Sequence, residues 1–401
     1  MRNFFFQNLL FLLVCLSCSS RTDKSRGETT AEVKDENLIS KVEPTPEWTA
    51  LFNRTSDWFG GDGIFAIPLS GTDNQDSEDS ILFVFSDTMI GEIENGELQQ
   101  DYVMVNNSMA ILKGKEAAVE NIDFFMNREG DKYAAYFIPQ TPATKPEDYY
   151  WLGDGFVNKQ KGGDIYLFAY RIRNTHDESQ FPFQEVGNSL LIIERGKQFP
   201  FEATRQLDIP FFSTENDSAY ISFGVGLLPN SPEAGVSTGD GFLYVYGVQG
   251  RAKKLVAARI KPENIEDFDT WEFYNGSDWS REIAEIAAIS DSVSNELSVV
   301  PIADNQYALI YQYGGIYPEI CMQVGPSPVG PFGPRKVIYN TQDDIDDPDL
   351  FTYNAKAHPA ISKPGELLVS YNVNSFKFFD VIESKPNLYR PRFIRVVFKE
   401  N

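Results

Sequence analysis

The sequence predicts an all-β fold, a five-bladed β-propeller, and two observations carry that prediction. The first is a recurring apolar strand that ends in aromatics: Ile81–Phe85, Asp164–Tyr170, Gly241–Tyr246, Gln306–Tyr311 and Glu366–Tyr371. Their starts lie roughly 60 to 85 residues apart, about one four-stranded sheet with its loops. The second is that each follows an opening segment and a turn bearing Gly, Asp or Asn. The openings lie near Gly60–Gly63, Trp151–Gly155, Ser222–Gly226, Asn295–Val300 and Ala355–Ser362. First strands of propeller blades line the central channel, so the polar residues at the five openings are expected to converge on one pocket.

The composition agrees. Apolar residues make up 42% and aromatics 14% of 401 residues, enough for a large core. The 29 Gly and 23 Pro punctuate many short segments instead of gathering in one linker. Helical periodicity is weak; Arg281–Ser290 is the best helical segment and is short enough to be a single turn.

At the N-terminus, Arg2 precedes a short apolar run, Phe4–Leu16, with small residues after it. Such a run is too short to span a bilayer and reads as a signal peptide. Cys18, after Cys15-Leu16-Ser17, resembles the lipid-modified cysteine of a bacterial lipoprotein, although Cys15 stands where leucine is usual. The expected organisation is a signal peptide over 1–18, a polar disordered tether over 19–46 and one domain over 47–401. Localisation is then the cell envelope, through a lipid anchor to the outer membrane. Only Cys321 remains beyond the signal, so the mature chain forms no internal disulfide.

The chain carries 58 Asp+Glu against 35 Lys+Arg, a formal charge of −23. That excludes the basic face nucleic acid requires. There are two histidines, His176 and His358, neither accompanied by a G-x-S-x-G elbow, and no zinc-ligand spacing or phosphate-cradling glycine loop. The chemistry therefore falls to carboxylates. Asp62 lies between glycines in W-F-G-G-D-G, where a ligand has room to approach. Asp87 ends an apolar strand, and Glu296 opens one, where desolvation would raise its pKa. Asp154 lies in G-D-G. Paired carboxyls of this kind suit glycoside hydrolysis, one donating a proton to the leaving oxygen and the other activating water or attacking the sugar. Glu296 is the expected acid, Asp62 the expected base or nucleophile, and Asp87 a residue that orients or tunes them. Asn106, Asn107, Asp154 and His358 are candidates for hydrogen bonds to sugar, and Trp58 and Trp151 for stacking on sugar faces. No cofactor is expected, apart from a channel cation near His358. Each residue also has a plain structural reading as turn, strand cap or core. The expected partner is a polysaccharide or oligosaccharide, and the alternative to an enzyme is a non-catalytic glycan-binding lipoprotein.

The segment W-F-G-G-D-G-I-F-A-I-P-L followed by L-F-V-F-S-D-T resembles the bacterial domain-of-unknown-function 4185 family. The similarity continues through N-N-S-M, L-Y-V-Y-G-V-Q, W-E-F-Y-N-G-S-D-W, N-E-L-S-V-V and S-P-V-G-P-F-G-P, from Pro46 to the C-terminus. The resemblance implies a five-bladed propeller related to glycoside hydrolases, some acting within D-arabinan, and matches Asp62, Asp87 and Glu296 to the acidic positions. Ser86 and Ala66 depart from that pattern, where Gly and Ser are usual.

Overall fold

A computed structural model describes residues 38–73, 80–175, 177, 181–196, 205–212, 220–345 and 347–399. Cys18, His176 and most of the expected tether lie outside the described residues. The fold is all-β. Five antiparallel sheets follow one another along the chain, and each expected second strand is the second strand of its sheet.

Sheet 1 comprises Phe65–Pro68, Ile81–Phe85, Ser108–Leu112 and Ile122–Phe125. Sheet 2 comprises Tyr149–Asn158, Asp164–Asn174, Phe183–Ile193 and Arg205–Ile209. In sheet 3, Ile221–Asn230, Phe242–Gln249 and Lys254–Ile260 are extended by Glu272–Tyr274 and Trp279–Ser280. Sheet 4 comprises Leu297–Ala303, Gln306–Gln312, Glu319–Gly325 and Lys336–Asn340. Sheet 5 takes Leu350–Ala357, Glu366–Ser375 and Arg392–Phe398, and its fourth strand is Ile39–Pro44 from the other end of the chain.

That last pairing corrects the expected boundary. Residues 39–46 belong to the fold, not to a tether. The strand was missed because it is an outer edge, where Lys41 and Glu43 are tolerated and little apolar content is needed. Two more openings shift. Trp58–Gly61 belongs to a separate small sheet with Thr88–Ile90 and Val103–Val105, so the first strand of sheet 1 begins at Phe65. The first strand of sheet 5 begins at Leu350 and is over by Ala357; Pro359, which has no N–H to give a ladder, opens a 3-10 turn instead. Within Arg281–Ser290 only a 3-10 turn forms, at Ile283–Glu285.

Alternation along the second strands builds the core as layers between successive sheets. Ile81, Phe83 and Phe85 pack toward Leu368 and Phe393 of sheet 5. Leu82 and Val84, on the opposite face, pack with Ile165, Leu167 and Ala169 of sheet 2. Tyr166 and Phe168 then face Leu243 and Val245 of sheet 3, and Tyr244 and Tyr246 face Leu309 and Tyr311 of sheet 4. A strand buried on both faces must be apolar at every position, which is why these were legible. The five first strands touch in order, and Pro359–Ile361 returns to touch Phe65–Pro68. Four of them carry bulges: between Leu152 and Gly155, Phe223 and Gly226, Pro301 and Ala303, and Tyr353 and Lys356. Among the described residues no helix is long and apolar enough to cross a membrane.

Candidate active site

Asp62 follows the strand Trp58–Gly61, and Asp87 precedes its partner strand Thr88–Ile90. The ladder continues through both residues. The Asp62 amide donates to the Asp87 carbonyl at 3.2 Å, and the Ser86 amide donates to the Asp62 carbonyl at 2.8 Å. The two acids are thus neighbours fixed by backbone. The surrounding glycines make room for the protein itself, not for a ligand. A Cβ at Gly60 would lie 2.4 Å from the Tyr389 carbonyl, and one at Gly63, whose φ is +62°, would lie 2.6 Å from Ser86 Oγ. Ser86 in turn holds sheet 2: the Leu152 amide donates to its Oγ at 3.1 Å.

The two carboxyls are addressed from opposite sides. Tyr353 Oη of sheet 5 donates to Asp62 Oδ2 at 2.6 Å, while Asp62 Oδ1 is buried with no hydrogen-bond partner among the described residues. Asp87 Oδ1 accepts from Trp151 Nε1 at 2.8 Å and from Asn106 Nδ2 at 3.2 Å, which leaves Oδ2 for a proton. Burial pushes the Asp87 carboxyl up to about 7, and the charge of Asp62 adds to that. Burial also raises Asp62, against Tyr353, Tyr389 and the ammonium of Lys356, which favour its charged form. Adjacent carboxyls that repel each other lose their protons in two steps, so one of the pair keeps its proton to higher pH than the other.

Aromatic rings frame this pair. Trp151 meets Phe183 at 4.7 Å, Phe183 meets Phe181 at 6.0 Å, and Phe181 meets Phe376 at 6.4 Å. Phe376 continues to Phe351 at 4.6 Å, and Phe351 to Tyr353 at 5.6 Å. The contacts run from the Asp87 partner in sheet 2 to the Asp62 partner in sheet 5. Phe181 is 46% and Phe376 38% exposed, so the middle of this run of rings is open to solvent.

Glu296 has a different setting. Its carboxylate lies 2.5 Å from Lys356 Nζ, and both side chains are buried. Burial raises its pKa, and Lys356 opposes that rise. A carboxylate held in an ion pair is a poor proton donor, which argues against the acid role expected for it.

The expected single pocket is not what forms. A cavity of about 340 Å³ runs between the first strands, lined in part by Asp73, Asp154, Ser298, Lys356 and His358, but not by Asp62, Asp87 or Glu296. Asp154 is saturated there. Its Oδ1 accepts from the Gly155 amide at 2.8 Å and its Oδ2 from the Leu227 amide at 2.7 Å. Burial still pushes it up to about 7. His358 turns into the sheet, with Nε2 2.7 Å from Ser370 Oγ and its ring against Phe393. Burial and then Lys356 push it down to about 3. No cluster of three or more His, Cys, Asp or Glu suited to a metal occurs among the described residues, so the cation expected near His358 has no acidic cluster to hold it.

Two other expected sugar contacts are structural. Trp58 is buried against Phe52, Phe85 and Phe124, with ring centroids 4.5 to 6.1 Å away. Asn107 is spent on backbone: its Nδ2 donates to the carbonyls of Phe137 and Tyr150, and its Oδ1 accepts from the Phe137 amide. Asn106 and Trp151 do reach the acids. Sequence reading missed Tyr353, Tyr389 and Lys356. For Lys356 a signal existed, a lysine inside the apolar strand Leu350–Ala357.

Comparison with solved structures gives a Bacteroides ovatus protein provisionally described as a hydrolase, with a TM-score of 0.68. It is 19% identical, over 88% of this chain and 90% of that one, a likeness that shows the fold alone. A Podospora anserina α-L-arabinofuranosidase solved with cellotriose has a TM-score of 0.43 and 11% identity, over 86% of this chain and 98% of that one. A Dyadobacter fermentans protein of unknown function has a TM-score of 0.43 and 9% identity, over 90% and 99%. No curated protein matches by sequence. The resemblance to family 4185 is overturned by the family comparison; the glycines of W-F-G-G-D-G, which carried it, are explained by close packing against the protein's own atoms. Residues 46–398 match the model described as domain of unknown function 5005 (DUF5005), and the chain belongs to that family.

Proposed function

We propose that this chain is an exported five-bladed β-propeller that hydrolyses glycosidic bonds in a polysaccharide, with Asp87 as general acid and Asp62 as general base or nucleophile. The propeller reading is supported by five sheets whose first strands touch in order and return to the start. One observation carries the chemistry: two carboxyls, Asp62 and Asp87, sit side by side on adjoining backbone, both raised by burial, with a run of partly exposed aromatic rings linking their partners Trp151 and Tyr353. Glycoside hydrolysis needs one protonated and one ionised carboxyl across the scissile bond. Asp87, pushed up to about 7, suits a donor at physiological pH. Its proton passes from Oδ2 to the leaving glycosidic oxygen. Asp62 supplies the negative charge that activates water or attacks the anomeric carbon. The aromatic faces offer sugars the flat apolar surface that C–H-rich ring faces pack against.

The test is a panel of plant and bacterial cell-wall polysaccharides, arabinans included, assayed for new reducing ends with the wild type and Asp62→Asn. Cleavage by the wild type alone supports the assignment. A polysaccharide bound by both and cleaved by neither replaces the enzyme with a glycan-binding protein.

The anchor at Cys18 is part of the same proposal, motivated by the signal-like run Phe4–Leu16 before it. Cys18→Ala should move the protein from the membrane fraction to the soluble one. If that variant stays with the membrane, the lipid anchor is lost from the proposal.

A further inference from the structure

We propose that Lys356 is the positioning residue that fixes where the charge of the carboxyl pair resides, keeping it on Asp62 and leaving the proton to Asp87; this rests on the reading of that pair as base and acid. The placement comes from a bulge. Tyr353 and Lys356 are three residues apart, and in a regular strand residues at that spacing point to opposite faces. In sheet 5, Tyr353 stands opposite Asn372 and Lys356 opposite Ser370, so three steps on one strand match two on its partner. The extra residue is absorbed at Asn354, whose φ is +58°. The bulge therefore puts the phenol and the ammonium on one face, and both act on Asp62.

The charges around Lys356 come from every neighbouring first strand. Glu296, just before the first strand of sheet 4, is its ion-pair partner at 2.5 Å. Asp62 before sheet 1, Asp154 of sheet 2 and His358 at the end of its own strand all feel its charge. Its Nζ lies 4.6 Å from the Phe65 ring centroid. It is 1% exposed, so water screens it little. Asp87 is served instead by Trp151 and Asn106, two neutral donors. Of two adjacent carboxyls, the one with a desolvated cation nearby ionises first. Once charged, Asp62 raises both Asp87 and Glu296. The asymmetry that general acid–base chemistry requires is thus set on sheet 5.

The experiment reads charge directly and needs no substrate. Full-length protein labelled with ¹³C at the aspartate carboxyls is titrated by NMR, and Asp62 and Asp87 are assigned by loss of signal in Asp62→Asn and Asp87→Asn. In the wild type, Asp62 should lose its proton at the lower pH. In Lys356→Met its midpoint should rise by at least about one pH unit, the low end for loss of a nearby opposite charge. Lys356→Arg should restore the wild-type order. Lys356→Met leaves Glu296 buried without a counter-ion, which destabilises the fold. Glu296→Gln is the second variant: it removes the ion-pair partner of the ammonium, whose charge then acts more strongly on Asp62, so the Asp62 midpoint should fall and the gap to Asp87 should widen. An unchanged gap in whichever variant folds overturns the role of Lys356. These titrations stand whether or not any polysaccharide is cleaved, so failure of the enzyme reading and failure of this inference are separate results.

Discussion

Asp87 and Asp154 are raised alike by burial, yet the proposed function makes one of them the acid and leaves the other to hold the fold. Burial pushes each up to about 7. Asp154 lines the cavity with both oxygens saturated by backbone amides of sheets 2 and 3. Asp87 receives both of its hydrogen bonds on one oxygen, from the side chains of Trp151 and Asn106. The contrast teaches that a raised pKa records burial, and that unspent hydrogen-bonding capacity is what marks a proton donor. Asp154 joins two sheets; Asp87 has an oxygen to spare beside a second carboxyl.

The largest expected effect breaks this comparison on the side of Asp87. Asp87→Asn preserves shape and can still accept from Trp151, but it has no carboxyl proton to deliver. It should reduce hydrolysis of the best substrate by at least about 100-fold, the low end for a positioned acid. Asp154→Asn should leave turnover within a factor of a few, because both oxygens of Asp154 are engaged by backbone amides that tie sheets 2 and 3. Initial rates of reducing-end release from the two purified variants, at matched folded concentration, make the measurement. Equal losses in both would mean that saturation by amides does not separate structural from catalytic carboxyls here.

The same contrast explains what the sequence could and could not tell. The five second strands were legible because burial on both faces forces an unbroken apolar run. Ile39–Pro44 was not, because its partner lies more than 350 residues away and an edge needs no such run. Asp62 and Asp87 were legible as acids flanking apolar strands. Their pairing was not, since it depends on the ladder between Trp58–Gly61 and Thr88–Ile90. Trp58 and Trp151 look alike in sequence, but the fold buries one among phenylalanines and turns the indole N–H of the other to Asp87. Asn106 and Asn107 are adjacent in the bend between Val103–Val105 and Ser108–Leu112, yet one turns to Asp87 and the other to backbone carbonyls. Lys356 reaches the acids only because a bulge changes the face it occupies, and no strand pattern announces a bulge.

A smaller effect sharpens the comparison through stability. The Asp154 carboxyl, up at about 7 in the fold, returns to about 3.9 when unfolded. Between those values the folded protein keeps a proton that the unfolded chain has lost, so this group makes stability fall as pH rises from about 4 to about 7. His358 acts in the opposite sense at the acid end. Held down at about 3 in the fold, it takes up a proton below about 6.5 only when unfolded, so its contribution to stability is lost as pH falls from about 6.5 to about 3. Asp154→Asn removes the first dependence. At pH 4 the variant should be slightly less stable than the wild type, because the amide NH2 takes the place of one of the two oxygens that accept from backbone N–H groups. By pH 8 that difference should have moved in favour of the variant by roughly 1–3 kcal/mol, discounted for the partial exposure of the site. Thermal unfolding midpoints of the two proteins, measured from pH 4 to 8, give the answer. Parallel curves would mean that Asp154 is ionised in the folded state, with its two amide donors outweighing burial.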